Sequence, residues 1–193
     1  MNVALIFIDH FYPKAQKAWI ALEVSGADYN MEEVSLYGAG GKPKWFLKLN
    51  PAGTVPVLVN KDDVVPDSEL ILDYIEKGSL GIGNDLKGDE VKLSNAWRRT
   101  IKERVAPIGK RAVLGGGRYE LVELLKEIDN DVKGPFLCGE TACVADCAAF
   151  PFIWRINDEF GLDECPKLQN WLEHCVSIPE FNKTIQRSWW WWW

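Results

Sequence analysis

The stretch NPAGTVPVLVNK, residues 50–61, is separated by four residues from the segment PDSE, residues 66–69. A proline inside a strand removes an N–H group that the ladder needs, so it fits only at the start or edge of a strand. A cis Val55–Pro56 bond at the start of the strand would satisfy this limit and would turn the chain. We therefore predict a short strand over Val57–Val59, with the Val55 backbone free to pair with an extended peptide ligand.

The PDSE segment predicts the start of an amphipathic helix. The first N–H groups of a helix have no partner within it and attract anions. The hydroxyl of Ser68 and these N–H groups would together bind a carboxylate. With the free backbone of Val55, they predict a receptor for a small acidic peptide. The alternative is that Ser68 is a plain helix cap.

Composition indicates a globular protein with a substantial core. The chain has 193 residues, of which 47% are hydrophobic and 26% charged, and its net charge is −6. The acidic balance argues against non-specific nucleic-acid binding. No apolar run approaches the roughly 20 residues of a membrane span, and the run at 3–8 is too short for a signal peptide. We expect a cytoplasmic protein, or an organellar one whose targeting segment has been removed.

The cysteines and histidines do not predict a metal site. His174 beside Cys175 has no partner at metal-ligand spacing. No two cysteines form a C-x-x-C pair, so we expect buried, reduced thiols. These cysteines are Cys138, Cys143, Cys147, Cys165 and Cys175.

Periodicity along the chain predicts two domains. Residues 1–78 have the order β-α-β-α-β-β-α, which is typical of a thioredoxin-like layer with helices on a mixed sheet. Pro13 suits the first position of the first helix, and Gly26 its end. After a glycine-rich linker, residues 88–188 predict an all-helical domain, with a long helix from about 89 to 114 kinked at Pro107. A tail of five tryptophans, 189–193, follows.

Three segments resemble the cytosolic glutathione transferase superfamily over residues 3 to about 185. The closest likeness is to the omega, lambda and dehydroascorbate reductase groups. In the third segment, Cys143 and Asp146 stand where the family has a helix-capping box, with Thr141 as an alternative cap. A thiol is a poor acceptor, so we expect a weaker box. The segments are KPKWFLKLNPAGTVPVLV (42–59), PDSELILDYIE (66–76) and FLCGETACVADCAAFP (136–151).

The resemblance implies a glutathione site. It implies that Val55 pairs its backbone with the cysteinyl part of glutathione and that Pro56 is cis. It also implies that Asp67 holds the γ-glutamyl ammonium and Ser68 the γ-glutamyl carboxylate. Lys42 would reach the glycyl carboxylate.

The catalytic position departs from the groups that the chain most resembles. Those groups place a cysteine before the proline of the first helix, where this chain has Tyr12. A tyrosine cannot form a mixed disulfide, so thiol transfer and dehydroascorbate reduction are not expected unless a distant cysteine is recruited. We predict that the Tyr12 hydroxyl, helped by the helix start, stabilises the glutathione thiolate for attack on a small hydrophobic electrophile. His10 is an alternative donor.

Other functions remain open on the sequence. If Tyr12 is only a packing residue, the chain is a non-catalytic binding or scaffold subunit of a larger assembly. A basic region is a helix face paired with acids, a contact for an acidic protein partner, or a charge that steers the anionic peptide; it comprises Arg98, Arg99, Lys102, Arg104, Lys110 and Arg111. The tryptophan tail either docks on a partner or membrane surface or is an added segment without a role. Trp97, Arg104 and Trp154 are candidate walls of the electrophile pocket, and the protein is a monomer or a homodimer.

Overall fold

The N-terminal part of the chain forms a mixed four-stranded sheet. The computed structural model describes residues 4–34, 42–78 and 86–186. The strand order is β2-β1-β3-β4. β1 runs parallel to β2 and antiparallel to β3, which pairs with β4 through a tight hairpin. The strands are β1 (Ala4–Ile8), β2 (Tyr29–Glu33), β3 (Val57–Asn60) and β4 (Asp63–Pro66).

Three helices complete the thioredoxin-like layer: α1 (Pro13–Ser25), α2 (Lys44–Leu49) and α3 (Ser68–Lys77). Pro13 takes the first position of α1, where its missing N–H costs nothing. Gly26 ends α1 in the left-handed region with φ 66°, as favoured at helix ends. The predicted order β-α-β-α-β-β-α is confirmed.

The second half of the described chain is helical, as predicted. The helices are α4 (Asp89–Thr100), α5 (Ala106–Val113), α6 (Arg118–Asp129), α7 (Val144–Phe160), α8 (Pro166–Ser177) and α9 (Pro179–Asn182). A π-helical turn, Ile101–Val105, joins α4 to α5 without a break. It lies just before Pro107, which has no N–H to offer the carbonyl four residues earlier. The long helix was therefore predicted correctly, and its irregularity takes the form of a π-turn.

The two halves share one hydrophobic core. A large cluster joins buried residues of α1, α3 and α7, among them Ile20, Ile71 and Phe150. A smaller cluster lies on the other side of the sheet and contains Phe7, Val34, Phe46, Val55 and Val57. The domain bounds of 1–78 and 88–188 stay a prediction, and the tryptophan tail lies outside the described residues. Within these residues, every helix is too short or too polar to span a bilayer.

Asp146 fixes the start of α7 from inside the core. Its side chain is fully buried and accepts from the backbone N–H of Cys143 at 2.9 Å and of Leu137 at 2.8 Å. The indole N–H of Trp171 donates to it at 2.8 Å. Cys143, and not Thr141, takes the cap position. Both halves of the predicted capping box are therefore present, and the Asp146 carboxylate also ties α7 to α8.

Candidate functional site

The loop before β3 presents a free stretch of backbone. The Val55–Pro56 bond is cis, and the Val55 side chain is buried in the smaller core cluster. Within the described residues, neither the N–H nor the carbonyl of Val55 makes a backbone hydrogen bond. An extended peptide could therefore pair with Val55 as an added strand.

The start of α3 lies beside this loop. The backbone N–H of Asp67 donates to the Pro56 carbonyl at 3.3 Å. The Asp67 carboxylate accepts from the Glu69 N–H at 2.8 Å, so Asp67 caps the helix. The alternative interpretation of Ser68 as the cap is therefore wrong. Ser68 is buried, and its hydroxyl makes no hydrogen bond to any described residue, which leaves it available to a ligand.

Lys42 lies beside the loop that precedes β3. A Cβ atom on Gly53 would lie 2.9 Å from Cδ of Lys42 and 3.2 Å from its Nζ. The lysine side chain therefore lies against Gly53, whose φ of +63° also favours glycine. This contact brings the Lys42 ammonium close to the loop that carries Val55.

Tyr12 stands at the start of α1. It is half-buried and packs against both core clusters, including the one that contains Val55. Its backbone N–H donates to the Asp9 carbonyl at 3.1 Å, while the Phe11 N–H donates to the Asp9 carboxylate at 3.0 Å. These bonds close the turn before α1. The Tyr12 hydroxyl makes no hydrogen bond to the part of the chain that the structure describes.

The His10 side chain packs between this turn and α1. Its ring packs edge-on against Trp19, with centroids 5.4 Å apart. Its Nδ1 is buried and finds no partner among the described residues. Only Nε2 therefore remains for the donor role that the sequence suggested.

A buried group of charges, which the sequence did not predict, supports the start of α3. Glu69 follows Ser68 and accepts from Nζ of Lys17 on α1 at 2.6 Å. Arg98 on α4 donates to the Glu69 carboxylate at 3.0 Å and to its backbone carbonyl at 3.2 Å. The same guanidinium lies 2.7 Å from the carboxylate of Asp73. Three helices are thus joined next to Ser68.

Three of the six cations of the basic region, Arg98, Arg104 and Arg111, pair with acids of the chain. Arg104 makes two short bonds, 2.6 and 2.7 Å, to Glu127 on α6, and Arg111 pairs with Glu120. With Arg98 bound to α3, these pairs favour the interpretation as a face matched with acids. Trp97 and Trp154, two candidate pocket walls, are buried in the larger core cluster.

An open groove of about 530 Å³ is lined by residues of β4 and α3, and Tyr12, Val55 and Ser68 are not among its lining residues. Exposed Val64 and Leu70 line it. The choice between a monomer and a homodimer, which the sequence left open, stays a prediction. No group of three or more metal-ligating side chains occurs within residues 4–34, 42–78 and 86–186.

Comparisons with known proteins agree with this geometry. The family model for the glutathione S-transferase N-terminal domain matches residues 13–77, and the model for its C-terminal domain matches residues 113–179. The glutathione S-transferase DHAR3, chloroplastic, of Arabidopsis thaliana is 26% identical over 89% of this chain and 68% of its own. Glutathione S-transferase U1 of the same plant is 29% identical over 91% and 88%.

Solved structures share the fold. Glutathione transferase Omega 3C from Trametes versicolor superposes with a TM-score of 0.81, at 19% identity, over 97% of this chain and 91% of its own. Rice GST1, solved in complex with glutathione, superposes with a TM-score of 0.82, at 20% identity, over 96% and 91%. The two matched domains, in this order and on this fold, show that the chain belongs to the cytosolic glutathione transferase superfamily, near its omega and dehydroascorbate reductase groups.

Proposed function

We propose that the protein binds glutathione and conjugates it to a small hydrophobic electrophile. The observation that carries the proposal is a set of polar groups that have no protein partner in the described chain, at one end of the sheet, in the loop before β3 and at the start of α3. The Val55 backbone and the Ser68 hydroxyl lack hydrogen-bond partners among the described residues, and Lys42 lies against the same loop. A ligand that pairs with these groups gains hydrogen bonds for which the described residues offer no competing partner.

Glutathione has the matching groups in the matching order. Its cysteinyl amide would pair with the Val55 backbone as an added strand. Its γ-glutamyl carboxylate would bind the Ser68 hydroxyl and the start of α3, and its ammonium would meet Asp67. Its glycyl carboxylate would meet the Lys42 ammonium.

The reaction that we propose is nucleophilic attack by sulfur. The glutathione thiol loses its proton to solvent, and the Tyr12 hydroxyl donates a hydrogen bond to the resulting thiolate. The N-terminus of α1 adds a favourable field at the same place. The thiolate electron pair then forms a C–S bond to the electrophilic carbon, and the leaving group departs with its bonding pair.

Replacing Ser68 by alanine is expected to weaken glutathione binding about tenfold or more, because one hydrogen bond to a carboxylate is lost. The free energy of unfolding should change by less than about 0.5 kcal/mol, since the hydroxyl has no protein partner in the described residues. Calorimetry and urea unfolding measure the two effects. The control is Ser177→Ala, which removes an exposed hydroxyl bonded to the His174 carbonyl. Equal affinities for wild type and Ser68→Ala would contradict the assignment.

Replacing Tyr12 by phenylalanine is expected to lower kcat for conjugation about 10- to 100-fold, because the thiolate loses one hydrogen-bond donor. The Kd of glutathione should change little, since the contacts of its two ends remain. Steady-state kinetics with chlorodinitrobenzene and the thiolate absorbance of bound glutathione test this. The exposed Tyr119 provides the matched control, Tyr119→Phe. An unchanged rate would remove Tyr12 from the mechanism.

The second candidate function is a non-catalytic binding subunit. The observation that favours it is the packing of Tyr12 against both core clusters. A packing role would explain why an aromatic residue stands at this position even if the site has no catalytic activity. Calorimetry with glutathione separates the candidates when thiolate absorbance is followed in parallel. Binding with a thiolate signal supports the transferase, and binding without it supports the silent site. No binding at millimolar glutathione would exclude both forms of the glutathione site.

Dehydroascorbate reduction, which the resemblance to the dehydroascorbate reductase group raised, is not proposed. The five cysteines are buried and form no disulfide. Burial raises the pKa of Cys165 to about 11 and that of Cys147 well above its ordinary value. These two thiols therefore stay protonated at neutral pH and are poor nucleophiles.

We propose a cytoplasmic location. Relatives named as chloroplastic and as cytosolic both occur.

A further inference from the structure

Arg155 is a nearly fully buried guanidinium on α7 that reaches the turn before α1. Its Nη1 donates to the Gln16 side-chain oxygen at 2.6 Å and to the Pro151 carbonyl at 2.7 Å. Its Nη2 donates to the Phe11 carbonyl at 3.3 Å. The planar, forked guanidinium thus links its own helix, α1 and the turn at fixed angles.

A second contact strengthens the link to α1. The amide nitrogen of Gln16 donates to the backbone carbonyl and to the hydroxyl of Thr184, each at 3.1 Å. Gln16 and Thr184 are both buried. The side chain of Gln16 is therefore oriented from both ends, so that its oxygen faces Arg155.

The Phe11 carbonyl belongs to the peptide group that also contains the Tyr12 N–H. Arg155 binds the oxygen of this peptide, and the Asp9 carbonyl accepts from its nitrogen at 3.1 Å. A planar peptide group held at both polar atoms has little freedom to rotate. The direction in which the Tyr12 side chain leaves the backbone is thereby set by a residue of the helical domain.

We infer that Arg155 is a positioning residue: from the helical domain it holds the Phe11–Tyr12 peptide, and through it the Tyr12 hydroxyl and the start of α1, at the sulfur of glutathione. This inference rests on the proposed function. It gives α7 the role of positioning the groups that stabilise the glutathione thiolate. Lys42, Val55 and Ser68 have a different role, because they bind the other parts of glutathione.

The electrostatics of Arg155 act in the same direction. Burial lowers the pKa of Arg155 to about 9, so the side chain is still mainly protonated at neutral pH. A positive charge behind the turn, where water is excluded, favours an anion at the start of α1. A misplaced Tyr12 and a lost charge would both reduce the thiolate fraction, whereas the groups that bind the two ends of glutathione would be untouched.

The test compares two variants. Arg155→Met removes both the charge and the two donor nitrogens, and Arg155→Lys keeps the charge. The control is Arg118→Met, which removes a cation that lies over the Phe160 ring, away from the turn. For Arg155→Met we expect kcat with chlorodinitrobenzene and the thiolate absorbance to fall about tenfold, as for one lost hydrogen bond to a charged donor. The KM for glutathione should stay within about threefold. Arg155→Lys should recover part of the thiolate signal.

A second measurement needs no glutathione. Hydrogen exchange of the Tyr12 amide in the unliganded protein should quicken about tenfold in Arg155→Met, less in Arg155→Lys, and not at all in Arg118→Met. If Arg155→Met fails to fold, Arg155→Lys still tests the link, because the single ammonium nitrogen cannot take the places of both Nη1, which bonds to Gln16 and Pro151, and Nη2, which bonds to Phe11. Unchanged exchange and unchanged kcat in the folded variants would overturn the inference. If wild type binds no glutathione, the proposed function fails, while the exchange experiment still decides whether Arg155 fixes the turn.

Discussion

Glu69→Gln is expected to lower the free energy of unfolding at neutral pH by about 3–5 kcal/mol, the cost of breaking a buried ion pair from one side. Glu69 lies between Lys17 and Arg98, and both cations are buried. Glutamine has nearly the same size but no charge, so Lys17 would lose its carboxylate partner. Because Glu69 follows Ser68, the Kd of glutathione should rise as well.

The effect of Glu69 depends on pH with a definite sign. Burial by itself raises the pKa of Glu69, but Lys17 and Arg98 outweigh it, so that the pKa lies below its ordinary value. A carboxylate of this kind stabilises the fold above its ordinary pKa and loses that contribution as the pH falls through the folded-state pKa. The difference in stability between wild type and Glu69→Gln should therefore shrink in acid.

Urea unfolding at several pH values measures the Glu69 effect. Glu127→Gln is the matched control, because it breaks an equally short but exposed pair with Arg104. Exposed pairs contribute about 0–1 kcal/mol, so this variant should unfold almost as wild type does. Equal losses in the two variants would show that the buried charges have no special role.

Asp146→Ala is expected to cost about 4 kcal/mol of unfolding free energy, because three buried N–H donors lose their acceptor. Those donors are the backbone N–H groups of Leu137 and Cys143 and the indole N–H of Trp171. Burial raises the pKa of Asp146 in spite of them, so the buried charge itself opposes folding. The stabilising effect therefore comes from hydrogen bonding.

Asp146→Asn separates charge from hydrogen bonding. Its oxygen can still accept from Leu137 and Trp171, which share one carboxylate oxygen in the wild type. Its NH₂ group would face the Cys143 N–H, so one bond is lost and we expect a cost of about 1–2 kcal/mol. Asp158→Ala, at an exposed position of α7, is the control. Equal unfolding midpoints for the alanine and asparagine variants would contradict this order.

The sequence predicted the parts of this protein that depend on local chemistry. A proline at the start of a strand, Pro13 and Gly26 at the ends of α1, and the spacing from Cys143 to Asp146 each restrict a few neighbouring residues. Such restrictions do not need the rest of the fold to be known. Together with the hydrophobic periodicity, they were sufficient for the thioredoxin-like order and the helical second half, and the superfamily followed from the resemblance of three segments.

Only the tertiary structure showed which groups act together at the candidate site. Asp67 rather than Ser68 caps α3, and the backbone N–H of Asp67 donates to the Pro56 carbonyl just before β3. Lys17 and Arg98 meet at Glu69 across 52 and 29 residues of sequence, and Arg155 meets Phe11 across 144. Sequence periodicity cannot predict such contacts, because they form only where the packing of α1 against α3 and α7 buries polar groups that must then find partners.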